Sequence, residues 1–192
     1  MGCSSSLNKL EISSRGEVQL KNAVKEYMLG LGNQENRRNL LVVLQNNDFH
    51  EAISDSVGGD EVSDAFVRAG FRNHLDILQA FLDCEINVNV KDRFGRTALI
   101  QSCYNNHEEA VGLLLGENAD ANVQNNDGWT ALMYASQFGY IEIVQLLLDH
   151  GADTNLKNDN GRTALDLASV GHIKDKIKNR FIYCDNNSYV LK

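Results

Sequence analysis

The 192-residue sequence contains no proline and a single tryptophan, and it has no long apolar run. A membrane-spanning helix needs roughly 18 or more consecutive apolar residues, so we expect no spanning segment. The first residues lack the apolar stretch of a secretory signal peptide. The four cysteines, at positions 3, 84, 103 and 184, show no CxxC or other metal-binding spacing. These absences predict a cytosolic protein with reduced thiols and no bound metal.

The net charge of −8 is unevenly distributed along the chain. Residues 1–38 carry +2 and residues 174–192 carry +3, whereas residues 39–173 carry −13. An acidic surface repels phosphate backbones, so we expect no binding of nucleic acid. The same surface favours a partner of basic character through electrostatic steering.

A period of 33 residues dominates the sequence from residue 82 onward. Several residue types recur together at this interval, which is the signature of stacked structural repeats. The recurring positions are Gly95, Gly128 and Gly161; Thr97, Thr130 and Thr163; Leu82, Leu115 and Leu148; and Asn89, Asn122 and Asn155.

Each copy predicts a turn followed by two short helices. Asp or Asn three residues before Gly is turn chemistry, and the Thr stands where a helix N-cap belongs. In the copy that begins at Gly128, Gly139 should separate the two helices, and Gly151 should end the second one in a left-handed conformation. We expect the equivalent Asn118 to adopt that conformation as well. Because such helix pairs are too short to bury their apolar faces alone, neighbouring copies must stack.

The segments "GRTALIQSCYNNHEEAVGLLLGENADAN" and "GWTALMYASQFGYIEIVQLLLDHGADTN" resemble ankyrin repeats. The resemblance implies an all-α ankyrin-repeat solenoid, with helix–turn–helix repeats and short β-hairpin or turn tips. About four repeats are expected, at 58–91, 92–124, 125–157 and 158–180. The family's Thr-Pro-Leu-His appears here as "TALI", "TALM" and "TALD", which affects stability more than fold. In the 58–91 copy Asp64 replaces the Thr.

We expect helical caps and tails at both ends of the array. Residues 17–57 are predicted to form an N-terminal helical cap or degenerate repeat, and residues 181–192 a C-terminal tail. An apolar stripe at helical spacing, made of Leu20, Val24, Tyr27, Met28 and Leu31, allows two interpretations. We favour packing of this helix on the repeats over a position on a membrane surface, because its polar face carries charges of both signs.

The sequence offers no convincing catalytic constellation. It contains no glycine-rich phosphate loop, no paired carboxylates and no metal motif. His74 and His107 are one repeat apart, so stacking would leave them about 10 Å from each other, too far to share a metal ion. Cys84 and Cys103 have no histidine within obvious reach, and they fit best as small buried hydrophobic residues. We therefore predict a non-enzymatic protein that needs no cofactor.

The family resemblance implies that another protein binds at the hairpin tips and at the exposed face of the first helices. Exposed aromatic residues beside arginine match the composition of interface hot spots. The positions that correspond to this surface are Arg93, Phe94, Arg96, Tyr104, Asn105, Asn126, Asp127, Trp129, Gln137, Phe138, Asp159, Asn160 and Arg162.

The repeated asparagines Asn89, Asn122 and Asn155 occupy the position that asparaginyl hydroxylases modify in ankyrin proteins. The resemblance permits that modification. Their first role is expected to be structural, as bridges between turn backbones.

The opening residues, "MGCSSS", match the pattern for N-myristoylation at Gly2, with Ser6 at the required spacing. Cys3 would take a second, palmitoyl chain. One acyl chain gives only marginal membrane binding, whereas two give stable anchoring. We therefore expect residues 1–16 to be a flexible, lipidated segment that holds a protein-binding adaptor at a cytoplasmic membrane face. The alternative is a soluble ankyrin-type inhibitor that occludes a partner enzyme.

Overall fold

The computed structural model describes residues 18–29, 34–45, 61–169 and 171–179. These residues form ten helices and contain no β-strand, so the predicted all-α class is confirmed for them. The helices are α1 (18–29), α2 (Gln34–Leu44), α3 (Glu61–Phe71), α4 (Leu75–Asp83), α5 (Ala98–Tyr104), α6 (Glu108–Gly116), α7 (Ala131–Phe138), α8 (Ile141–Asp149), α9 (Ala164–Leu167) and α10 (Gly171–Asn179). Within this part of the chain, no helix combines the length and the apolar character needed to cross a membrane.

The chain divides into two compact units, residues 1–98 and residues 99–192. In the first unit, α1 turns its apolar stripe inward, and Leu20, Val24 and Tyr27 are all buried. Met28 of the same stripe is half-buried. This burial is what packing of the helix on the repeats requires, and the cap at residues 17–57 stays a prediction. The membrane-surface alternative is wrong for this stripe, because the side chains that would enter the lipid already pack against protein. Leu31 lies outside the described residues.

Helix α3 is the irregular element of the first unit. It runs for 11 residues, whereas α5 and α7, the first helices of later repeats, have seven and eight. The 33-residue period would start this helix at Ala65, but it begins at Glu61. Because this copy lacks the Gly-x-Thr that starts the later helices, one further turn can form, and Val62 and Ser63 are buried by it.

In the second unit the helices pack in the repeating arrangement that the period predicts. Contacts join α7 to α8 and to α9, and α8 to α6 and to α10. Val111 and Leu114 of α6 and Val144 and Leu147 of α8 are completely buried at these contacts. The apolar residues of α8 thus lie on one inward face, with Ile141 at its start half-buried.

The turn and cap residues behave as their chemistry predicts. The Thr130 hydroxyl accepts a hydrogen bond from the Met133 N–H at 3.2 Å. Gly139 and Gly151 both have φ of 84°, and Asn118 has φ of 62°, so the predicted left-handed helix ends are confirmed. These local signals explain where the helices of each repeat begin and end.

Candidate functional site

Three tips lie within the described residues, and each is built around one buried side chain: Asp92, Asn125 and Asn158. In every tip the Oδ1 atom of this residue accepts two backbone N–H groups, from the residues two and four positions later, at 2.8–3.1 Å. The donor pairs are Phe94 and Arg96, Asp127 and Trp129, and Asn160 and Arg162. A backbone bond between the first and fifth residue closes each tip at 2.9–3.0 Å. The tip residues of the predicted binding set are therefore held in a repeated conformation.

The tip in the first unit presents an aromatic ring that is in contact with two cations. Phe94 is 47% exposed. The guanidinium carbons of Arg93 and Arg96 lie 4.9 and 4.5 Å from the centre of its ring. Arg96 also donates from Nε to the buried Asp92 Oδ2 at 2.8 Å. The carboxylate thus fixes one of the two arginines over the ring.

The second unit contains a group of five contacting aromatic residues, which we call the ring cluster: Tyr104, Trp129, Tyr134, Phe138 and Tyr140. Trp129 and Tyr134 stack with their centroids 4.7 Å apart. Tyr104 stands almost perpendicular to Tyr134 and to Phe138, at centroid distances of 5.3 and 5.4 Å. Phe138 lies 5.7 Å from Tyr140. Asn125, the buried residue of the tip, donates to Tyr134 Oη at 3.2 Å and so connects the tip to the cluster.

Exposure differs among the aromatic residues that the sequence placed on the binding surface. Tyr104 and Phe138 are each 44% exposed, as a contact residue should be. Trp129 is half-buried and is therefore less exposed than these two residues. Part of its surface is covered because the indole stacks on the Tyr134 ring.

Two members of the ring cluster, Tyr134 and Tyr140, are absent from the sequence-based set. A signal for Tyr134 exists, because it lies four residues before Phe138 and so shares a helix face with it. Tyr140 follows the helix end at Gly139, at the repeat position that His74 and His107 occupy in earlier copies, so the period indicates its place but not its ring contact.

The remaining predicted residues of the second unit lie around the cluster or on the tips. Asn105 is half-buried and donates to its own helix at the Gln101 carbonyl, 2.9 Å away. Asp127 and Asp159 are exposed, and their tips adjoin, since the Asp159 N–H donates to the Asp127 carbonyl at 3.2 Å. The other predicted residues of this unit are also exposed: Asn126, Gln137, Asn160 and Arg162.

Asn122 plays the structural role expected of the repeated asparagines. Its Oδ1 accepts the Asp153 N–H at 2.6 Å, and its Nδ2 donates to the Gly151 carbonyl at 3.3 Å. It therefore bridges two successive turns. Asn89 and Asn155 form hydrogen bonds within their own turns, to Asn87 and Asp153. Hydroxylation at these three positions stays a prediction.

Neither described thiol is suited to nucleophilic chemistry. Cys103 and Cys84 are buried, and burial raises the pKa of both thiols. The Cys84 thiol donates to the Leu44 carbonyl at 3.2 Å and so joins α4 to α2. Within the described ranges no group of three or more potential metal ligands comes together.

The first unit contains a cluster of polar side chains whose pKa values are shifted by burial and by each other's charges. We call it the polar joint, and its members are Tyr27, Arg37, Arg72, His74 and Asp76. Tyr27 Oη and His74 Nδ1 are 3.0 Å apart, and burial raises the pKa of Tyr27 to about 12. Burial, together with Arg37 and Arg72, lowers the pKa of His74. Burial acts to raise the pKa of Asp76, but hydrogen bonds from Arg37 and from the Ile77 N–H hold it below its usual value. Since these groups bond to one another across α1, α2 and α4, we interpret them as a structural joint.

A family model described as ankyrin repeats (3 copies) matches residues 65–158 and, in a second placement, residues 113–178. Together these matches cover residues 65–178, more than half of the 192-residue chain. The chain belongs to the ankyrin repeat family. The predicted family is thus confirmed, and with it the ankyrin-repeat fold. A comparison with curated proteins finds no significant match. Ankyrin repeats are protein–protein interaction modules, so the tips and the ring cluster are candidate contact surfaces for a protein.

Proposed function

We propose that this ankyrin-repeat chain is a non-enzymatic adaptor that binds another protein through its hairpin tips and the exposed side of its first helices. The observation that carries the proposal is the exposure of Tyr104 and Phe138, each 44%, within a packed group of aromatic rings. Large aromatic side chains dominate the energetics of protein interfaces, because they bury much apolar area with few rotatable bonds.

The rigidity of the tips also supports a binding role. Asp92, Asn125 and Asn158 each hold two backbone N–H groups of their tip. A surface that is ordered before binding loses less conformational entropy when a partner arrives. The centre of the chain is acidic and has few basic residues, so it would repel a nucleic acid, and a protein is the more suitable partner.

We further propose that acyl chains on Gly2 and Cys3 hold the adaptor at the cytoplasmic face of a membrane. Both residues lie outside the described part of the chain, and the proposal rests on the sequence pattern alone. It applies to a chain whose translation starts at Met1. Two chains would anchor stably, and the anchor would raise the local concentration of a membrane-bound partner.

The binding surface is tested with the partner captured from native cells. A Tyr104→Ala/Phe138→Ala variant should lose about 2 kcal/mol or more of binding free energy, because it removes both exposed rings of the cluster. The control is Phe71→Ala, since Phe71 is equally exposed, at 44%, but belongs to the first unit. Normal binding by the double variant, with a helical spectrum like the parent's, would show that this surface is not the contact site.

The anchor is tested by membrane fractionation in eukaryotic cells. Gly2→Ala should make the protein soluble, whereas Cys3→Ser should leave weak, exchanging membrane contact through a single chain. An unmutated protein that is already soluble, with an unmodified N-terminus, would disprove the anchor and favour the soluble inhibitor.

A further inference from the structure

The chain itself contains an example of how its aromatic rings take up cations. In the first unit the guanidinium groups of Arg93 and Arg96 lie over Phe94 at 4.9 and 4.5 Å. These distances are within the roughly 6 Å over which a ring face attracts a cation. Among the described residues, no arginine or lysine lies over the exposed rings of Tyr104 and Phe138 in the second unit. Their neighbours are other aromatic rings.

The second unit carries an excess of acidic residues. Its described ranges, 99–169 and 171–179, contain eleven Asp and Glu residues and five Lys and Arg residues. Two exposed acidic residues, Asp127 and Asp159, lie on the adjoining tips next to the cluster. A Cβ atom on Gly128, the residue before Trp129, would come within 2.8 Å of Asp159 Oδ1. This carboxylate is therefore positioned directly beside the tryptophan tip.

Exposed aromatic rings and carboxylates in one region suit a cation that is also a hydrogen-bond donor. The ring planes of Tyr104 and Phe138 are nearly perpendicular, at 87°, and their centroids are 5.4 Å apart, so the two rings face in different directions. Guanidinium suits such a surface better than ammonium, because it is planar, more weakly hydrated and able to stack on a ring while donating to a carboxylate.

We propose that the ring cluster, with Asp127 and Asp159 beside it, binds an arginine side chain presented by an extended basic segment of the partner protein. This inference rests on the proposed adaptor function and names the chemistry of its ligand. The partner's arginine would take the position over the exposed rings that Arg93 and Arg96 occupy over Phe94.

The test uses the full-length protein and an acetylated hexapeptide of alternating glycine and arginine. Trp129, the one tryptophan of the chain, lies in the site, so its fluorescence reports binding directly. The matched peptide replaces arginine by citrulline, which has the same shape but no charge. We expect saturable binding of the arginine peptide, about tenfold tighter than the citrulline peptide, which is the size of effect expected from a partly desolvated cation–π contact. A lysine peptide of the same pattern should bind more weakly than the arginine peptide.

Variants then locate the binding site. Tyr104→Ala/Phe138→Ala should weaken the arginine peptide by about tenfold or more, and Phe71→Ala should leave its affinity unchanged. Asp127→Asn/Asp159→Asn should reduce the preference for arginine over citrulline and the dependence of binding on salt. These two aspartates are exposed, so their replacement should not disturb folding.

Equal affinity for the arginine and citrulline peptides would overturn the proposal, as would the absence of any saturable response. An arginine peptide that binds the Tyr104→Ala/Phe138→Ala variant normally would also overturn it. If the native partner loses binding to this variant while the two peptides bind alike, the arginine assignment fails and the adaptor function stands. If the peptides are discriminated but no native partner depends on the rings, the adaptor surface fails instead.

Discussion

The two units of the chain reach a helical fold by different means. In the second unit, threonine caps, left-handed glycines and buried Asx residues recur at the same repeat positions, and each sets the local backbone. In the first unit these signals are partly missing, and α3 starts a turn earlier than the period predicts. The comparison teaches that a repeat can lose its local signals when side-chain contacts between helices replace them.

In the first unit, an apolar core that includes Phe66 and Phe81 is supplemented by polar contacts between helices. Arg37 Nε donates to both carboxylate oxygens of Asp76 at 3.0 and 3.1 Å, which joins α2 to α4. Tyr27 of α1 bonds His74, the residue before α4. The second unit packs through stacked apolar faces such as those of Val144 and Leu147. The two units should therefore respond differently to a cavity in the core, a change of turn geometry and a change of pH.

The largest effect is expected from a cavity in the second unit. Leu147→Ala should lower the free energy of unfolding by about 2–5 kcal/mol, because Leu147 is completely buried between stacked helices. Its neighbour Leu146 is only half-buried and provides the matched control. Urea unfolding followed by far-ultraviolet circular dichroism measures both variants. A Leu147→Ala protein no less stable than the Leu146→Ala protein would contradict the apolar stacking described for this unit.

A smaller effect is expected for the difference in stability between two glycine variants, which separates backbone strain from steric contact at the tips. Gly161 has φ of 72°, and a Cβ there would meet no atom within 4 Å, so Gly161→Ala should cost about 1–2 kcal/mol through backbone strain alone. Gly128 has nearly the same φ, 74°, but a Cβ there would lie 2.8–2.9 Å from atoms of Asn158 and Asp159. Gly128→Ala should therefore cost about 1–3 kcal/mol more, as overpacking does. Equal unfolding midpoints for the two variants would show that the adjoining tips are not in close contact.

The sequence predicts most of the second unit because its determinants are local. A cap such as Thr130 or a left-handed residue such as Gly151 acts within a few positions of itself, so spacing alone reveals it. The polar joint of the first unit was not predictable in this way. Tyr27 and His74 are 47 residues apart, and nothing in either segment indicates that they meet.

The candidate site also combines features that local sequence predicts with features that it does not. The tip positions follow from the period, since Asp92 and its equivalents precede Gly95 and its equivalents by three residues. The stacking of Trp129 on Tyr134 did not follow, because it depends on how a tip folds back against the neighbouring helix. The period therefore indicates the tip positions, and the structure distinguishes the exposed rings of Tyr104 and Phe138 from the half-buried ring of Trp129.

The smallest effect should be a pH dependence confined to the polar joint. Burial lowers the pKa of His74 in the folded protein, and the charges of Arg37 and Arg72 lower it further. The unfolded chain keeps a histidine pKa of about 6.5, so below that pH it binds the proton more readily than the folded chain does. The stabilising contribution of neutral His74 is therefore complete above about pH 6.5 and is lost as the pH falls through the lower, folded-state pKa. Because His74 is only half-buried, solvent screens part of this effect.

Two variants isolate this contribution. His74→Gln keeps a hydrogen-bonding side chain beside Tyr27 but does not titrate, so it should lose part of the parent's drop in urea midpoint between about pH 7.5 and pH 5.5, the range that spans the ordinary histidine pKa. Tyr27→Phe removes the hydroxyl but leaves His74 beside Arg37 and Arg72, so it should be less stable at both pH values and keep the drop. The other histidines are present in all three proteins, so their contribution to the pH dependence is removed by comparison with the parent. If His74→Gln shows the full pH dependence of the parent, then protonation of His74 does not destabilise the joint, and the lowered pKa has no consequence for the first unit.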